Sequence, residues 1–137
     1  MSEKQKLLIV DDSELNRDIL KEILGSSYDY LEAENGTQAI QILEVHPEID
    51  LMLLDINMPQ MNGFQVLEHM RELQWIDEIP VVMISSEESV EIMRKAYDLG
   101  ITDYISRPFD AVIVKKRVQN TLGLYANQKR LINVVVD

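Results

Sequence analysis

Short apolar runs alternate five times with segments whose apolar residues recur at helical spacing, and this alternation constrains the fold more than any other feature. The runs are Leu7–Val10, Asp50–Leu54 and Pro80–Ile84, with weaker ones at Tyr28–Ala33 and Thr102–Ile105. Continuous short runs of Ile, Leu and Val suit strands covered on both faces of a parallel sheet. Between them, Leu15, Ile19 and Ile23 recur every four residues and end at Gly25, a plausible C-cap. Ala39, Ile40 and Leu43 mark a second helix, stopped by His46-Pro47. Phe64, Leu67 and Met70 mark a third, and Ile92, Ala96 and Leu99 a fourth, closed by Gly100. Ile113 or Val114, then Val118, Leu122 and Tyr125, mark a fifth.

Strand–helix alternation of this kind predicts a doubly wound α/β domain over residues 5–125. The expected topology is flavodoxin-like, a parallel five-stranded sheet in the order 2-1-3-4-5. Residues 126–137 are expected to form a helical extension or linker. Leu124, Leu131 and Val135 would continue the fifth helix as a seam, with Gly123 as its weak point. The apolar ending Val134-Val135-Val136 suggests a path toward an output domain outside the chain.

Composition narrows the function. With 46% apolar residues in 137, a core can form without staples, and the absence of cysteine excludes disulfides and thiolate metal sites. The amino terminus offers four apolar residues before Asp11-Asp12, short of the roughly 7–15 of a signal peptide. No run approaches the ~18 of a membrane span. A soluble, cytoplasmic protein is expected. A formal charge of −11 argues against nucleic acid as a direct ligand. Residues 111–137 do hold 5 bases against 1 acid, but without interleaved aromatics they read as a solvated helix face or a tail complementing an acidic body.

In an open parallel sheet, ligands bind beyond the carboxyl ends of the strands. The first strand ends in Asp11-Asp12, the third in Asp55, the fourth in Ser85-Ser86, and the fifth runs through Ser106 into Arg107-Pro108. Three carboxylates, a hydroxyl and a cation therefore fall on one rim. Two like charges ~4 Å apart repel by about 4 kcal/mol at an effective dielectric near 20, so converging acids need protonation or a cation. Hard oxygen donors with no Cys or His nearby favour Mg²⁺ over zinc or copper. A carboxylate beside such an ion can act as a nucleophile toward phosphorus, with Arg107 and the Ser85 hydroxyl stabilising charge on the transferred group. Taken singly, each strand-end Asp is more often a cap or turn residue, and Ser13 competes with Asp12 to cap the first helix. Four strand ends with complementary chemistry outweigh that reading.

The residues that carry this chemistry also carry a resemblance. Asp11-Asp12 after LLIV, DINMPQMNGF from Asp55, PVVMISS from Pro80 and DYISRPF from Asp103 resemble the response-regulator receiver domains of two-component signalling, chemotaxis regulators included. The likeness spans about residues 5–125. It implies that Asp55 is the phosphoacceptor and that Asp12, Asp55 and the backbone carbonyl of Asn57 ligate Mg²⁺, with Asp11 binding through water. It further implies that the Ser85 hydroxyl moves toward the acyl phosphate, that Tyr104 swings inward in response, and that the Arg107-Pro108 bond is cis. Asn57 and Glu87 stand where the family tunes phosphoryl lifetime, and the Asn/Glu pair implies moderately rapid self-dephosphorylation.

The implied partner is a histidine kinase or phosphotransfer protein in a phosphorelay. The fourth helix, fifth strand and fifth helix form the implied switching face, where a homodimer can assemble. The chain would catalyse only its own phosphorylation and dephosphorylation, and would not be a turnover enzyme. Arg107 replaces the family's usual Lys, keeping the charge in a longer, planar group. Ser85 keeps a hydroxyl without the methyl of Thr. An alternative follows from Arg107: a phosphorylation-independent dimerisation or interaction module of the same fold. A haloacid-dehalogenase-type phosphatase would need an acid where Asn57 stands. The tail RVQNTLGLYANQKRL resembles linkers to output modules such as HD-GYP cyclic-di-GMP phosphodiesterases. His46 and His69 read as surface residues, Trp75 as a packing residue and the methionines as core filler. Asn62-Gly63 reads as a loop entering a helix.

Overall fold

A computed structural model describes residues 4–86 and 89–136, with side chains up to Tyr125. Five strands form one parallel sheet: β1 (Gln5–Val10), β2 (Tyr28–Ala33), β3 (Leu51–Asp55), β4 (Val81–Ser85) and β5 (Asp103–Ser106). Their order is β2-β1-β3-β4-β5, the flavodoxin-like arrangement expected from the alternation. The connecting helices are α1 (Glu14–Leu24), α2 (Gly36–Val45), α3 (Gly63–Glu72), α4 (Val90–Asp98) and α5 (Ala111–Val136). A single 3₁₀ turn at Trp75–Asp77, not anticipated from the sequence, links α3 to β4. Trp75 packs partly against the core, as expected.

Side chains of the central strands alternate between two apolar layers. Leu8, Val10, Met52, Leu54, Val81 and Met83 pack with residues of α2, α3 and α4. Leu7, Ile9, Leu51, Leu53, Val82 and Ile84 pack with residues of α1 and α5. Each such side chain, fully buried, contributes about 1.5–3 kcal/mol, which is why these strands read as unbroken apolar runs. β1 and β3 are neighbours, and the helices that follow them lie on opposite faces. Their exits diverge and open a crevice between them, the switch point of a doubly wound sheet.

Two details settle expectations about helix faces. On α1 the row Leu15–Ile19 is exposed, at 68% and 37%, and Leu20 and Leu24 are the buried residues. On α5, Val114, Val118 and Leu122 face the core and Ile113 is exposed. Gly25 and Gly100 terminate α1 and α4 at positive φ, conformations that an L side chain resists. Asn62 caps α3 in a reciprocal box with Gln65. The side chains of Leu131 and Val135, expected to continue a seam, lie outside the described residues. No helix among the described residues is long and apolar enough to cross a membrane.

Candidate functional site

The first acidic turn is built where β1 leaves the sheet. The Asp11 N–H donates to the Ala33 carbonyl at 3.0 Å, keeping Asp11 at the strand end. Its carboxylate is fully buried and accepts the Ser13 N–H at 2.9 Å. Ser13, and not Asp12, caps α1, its hydroxyl accepting the Asn16 N–H at 3.2 Å. Asp12 is therefore left exposed at the crevice mouth with no capping duty.

Asp55 ends β3, is 1% exposed and accepts the Asn57 N–H at 3.3 Å. Behind it, Gly63 opens α3 against the backbone of the strand. A Cβ there would lie 2.6 Å from the Asp55 carbonyl oxygen, so glycine alone permits this approach. The structure brings Asp11, Asp12 and Asp55 together, with one carboxylate oxygen from each lying within 4.8 Å of the others.

Arg107 closes the other side. Its Nη2 is ion-paired with Asp11 and stands 3.4 Å from Asp55 Oδ2. The guanidinium also lies 5.9 Å from the Phe109 ring centroid, and its Nε is buried without a hydrogen-bond partner among the described residues. The Arg107-Pro108 bond is cis, as the resemblance implied. Ser85 is fully buried at the end of β4, one residue beyond the register partner of Asp55. Its carbonyl accepts the Arg107 N–H at 3.1 Å. Tyr104 pairs with Met83 across β4 and β5 and is only 3% exposed, within the layer beneath α4. Glu87 lies outside the described residues. A separate polar cavity of 630 Å³, lined by Lys4, Lys6, Asp29, Glu48 and Asp50, opens at the amino ends of the strands, away from these groups.

Electrostatics follow from burial. Loss of solvent pushes the Asp55 carboxyl up to about 6, with the Asp11 charge adding to the rise and Arg107 opposing it. Burial likewise raises Asp11, against the pull of the Ser13 N–H and Arg107. Three converging hard oxygen donors, two of them disfavoured as charged groups by burial, fit a small divalent cation.

One residue escaped the sequence reading. Arg17, on α1, donates from Nη1 to the Asp11 carbonyl at 2.6 Å and from Nε to Glu32 at 2.9 Å. The available signal was a four-residue spacing from Arg17 to Lys21, which also reaches Glu32.

A flavodoxin-like sheet with an acidic pocket and a facing cation at its switch point defines the class: a doubly wound α/β domain with a carboxyl-edge site. The chain belongs to the response regulator receiver domain family, whose model matches residues 7–119, and so to two-component signalling. It is 35% identical over 120 residues to the chemotaxis protein CheY1 of Helicobacter pylori, covering 86% of this chain and 97% of that one. A probable cyclic di-GMP phosphodiesterase of Vibrio cholerae is 33% identical over 127 residues, a match covering 93% of this chain and 29% of the relative. The solved structure of chemotaxis protein CheY4 of Vibrio cholerae superimposes with a TM-score of 0.79 at 27% identity, covering 87% of this chain and 99% of that one.

Proposed function

We propose that this receiver domain accepts a phosphoryl group on Asp55 from a phosphohistidine donor in a Mg²⁺-dependent reaction. The observation that carries the reading is the convergence of three carboxylates within 4.8 Å, faced by Arg107. An Asp55 oxygen forms the new O–P bond as the donor's N–P bond breaks, and the freed imidazole nitrogen takes a proton. Asp12, Asp55 and the Asn57 carbonyl are the residues that would hold Mg²⁺, with Asp11 behind them. The ion would neutralise charge on the phosphoryl oxygens. Arg107 releases Asp55 and grips the phosphoryl oxygens, and the Ser85 hydroxyl donates to them. Asn57 and Glu87 set how readily water reaches the acyl phosphate.

The donor is a histidine kinase or phosphotransfer protein, and the setting is cytoplasmic. Output is a repacking of the face built by α4, β5 and α5, through Ser85 and Tyr104, where a homodimer can form. Residues 5–125 are the receiver, and residues 126–137 are the extension that carries its state onward. The chain is a signalling module and turns over no substrate beyond its own phosphoryl group. The test is beryllofluoride or acetyl phosphate with Mg²⁺. The wild type is expected to respond and Asp55→Ala to stay silent; an equal response from both overturns the assignment.

A second reading, a phosphorylation-independent interaction module, draws on Arg107. Its guanidinium is ion-paired with Asp11 and stands 3.4 Å from Asp55, a contact that would lock the site in one state. Dimer affinity measured with and without beryllofluoride separates the two readings.

A further inference from the structure

We infer that Arg17 is a positioning residue of the cation site: by pinning the Asp11 carbonyl it fixes the turn from which Asp11 and Asp12 reach Asp55. The inference rests on reading the acidic cluster as a divalent-cation site. Asp11 is the last residue that β1 ties to the sheet. Its N–H is committed to Ala33 and its carboxylate to Ser13 and Arg107. Its carbonyl, at the start of the turn, accepts from Arg17 Nη1 at 2.6 Å. Arg17 is itself held, with a side chain only 12% exposed and Nε on Glu32 at 2.9 Å. Lys21 grips the other Glu32 oxygen at 2.8 Å. A planar guanidinium can bond in two directions at once, which an ammonium on a flexible stem does poorly. The network therefore ties the β1 exit, helix α1 and edge strand β2 into one rigid corner.

Electrostatics acting alone would give the opposite result. A positive charge held on the turn that carries Asp11 and Asp12 repels an added cation, so deleting it should tighten cation binding. Positioning demands that deleting it weaken binding. The sign of the change decides between them.

The experiment is calorimetric titration of Mg²⁺ into the full chain after EDTA treatment and dialysis, with circular dichroism to verify folding. Arg17→Ala is expected to lose about tenfold in affinity, the low end for groups that orient metal ligands. Lys21→Ala removes a cation from the same Glu32 without touching Asp11, and is expected to bind as well as the wild type or better. Affinity in Arg17→Ala equal to or above the wild type overturns the inference. Should that variant not fold, Arg17→Lys decides: it keeps the charge but cannot serve both partners, so weaker binding supports positioning and unchanged binding overturns it. A wild type that binds no Mg²⁺ at all overturns the cation reading itself, an outcome distinct from one in which wild type and Arg17→Ala bind alike.

Discussion

The guanidinium of Arg107 stands 3.4 Å from the carboxylate of Asp55. The same nitrogen is ion-paired with Asp11, so one cation is shared by two buried acids. Removing it leaves like charges facing each other with no counter-ion. Metal-free Arg107→Gln is expected to lose about 3 kcal/mol, the low end for stripping a buried pair of one partner. Urea denaturation in EDTA measures this. Saturating Mg²⁺ is expected to restore more stability to the variant than to the wild type, because no guanidinium competes for Asp11.

The raised carboxyl of Asp55 gives a pH dependence whose sign is fixed. Its folded value is about 6 against an ordinary 3.8. The folded state thus binds the proton more tightly than the unfolded chain does. That stabilisation is complete below about pH 4 and is lost as pH rises through about 6. Asp11, raised in the same sense, adds to the slope. In EDTA the wild-type denaturation midpoint is expected to fall between pH 4 and 6.5, and Asp55→Asn to show a shallower fall. An identical slope in the two proteins would remove Asp55 as its source.

Gly63 has no room for a side chain. A Cβ would come within 2.6 Å of the Asp55 carbonyl oxygen and 2.9 Å of Ile56 Cα, both backbone atoms. Gly63→Ala is expected to cost about 1–3 kcal/mol through overpacking and to shift Asp55. Thermal melts together with acetyl-phosphate labelling report the two effects, and labelling is expected to fall while the fold persists.

Ser13 separates stability from chemistry. Its hydroxyl caps α1, but it holds Asp11 through its backbone N–H. Ser13→Ala is expected to lose about 1 kcal/mol and to keep its Mg²⁺ affinity. A matching loss of affinity would mean that the hydroxyl serves the site as well.

The centre of the sheet was legible because β1, β3 and β4 are buried on both faces, unlike the edge strands β2 and β5. Val10, Leu54 and Ile84 announce themselves as apolar runs, and the polar residues that follow must lie at their carboxyl ends. The acid cluster was legible for the same reason. Less visible was which row of α1 would be buried. Leu15–Ile19–Ile23 and Leu20–Leu24 are both spaced by four. Docking on the sheet buries the second row while leaving Leu15 and Ile19 exposed and Ile23 half-buried against the core. Arg17 was hidden because its partner is a backbone carbonyl six residues back, and a carbonyl has no letter in a sequence. Gln60 and Gln74, at φ 68° and 64°, carry no compositional mark of the left-handed backbone they adopt.

The hydrogen bond from the Arg107 N–H to the Ser85 carbonyl yokes two side chains that are 22 positions apart in the chain. Hydroxyl and guanidinium thus hang from two backbones joined by one hydrogen bond at the carboxyl ends of adjacent strands. Under the proposed phosphoryl transfer, a shift of the Ser85 backbone would be passed through that bond to the start of the Arg107 turn.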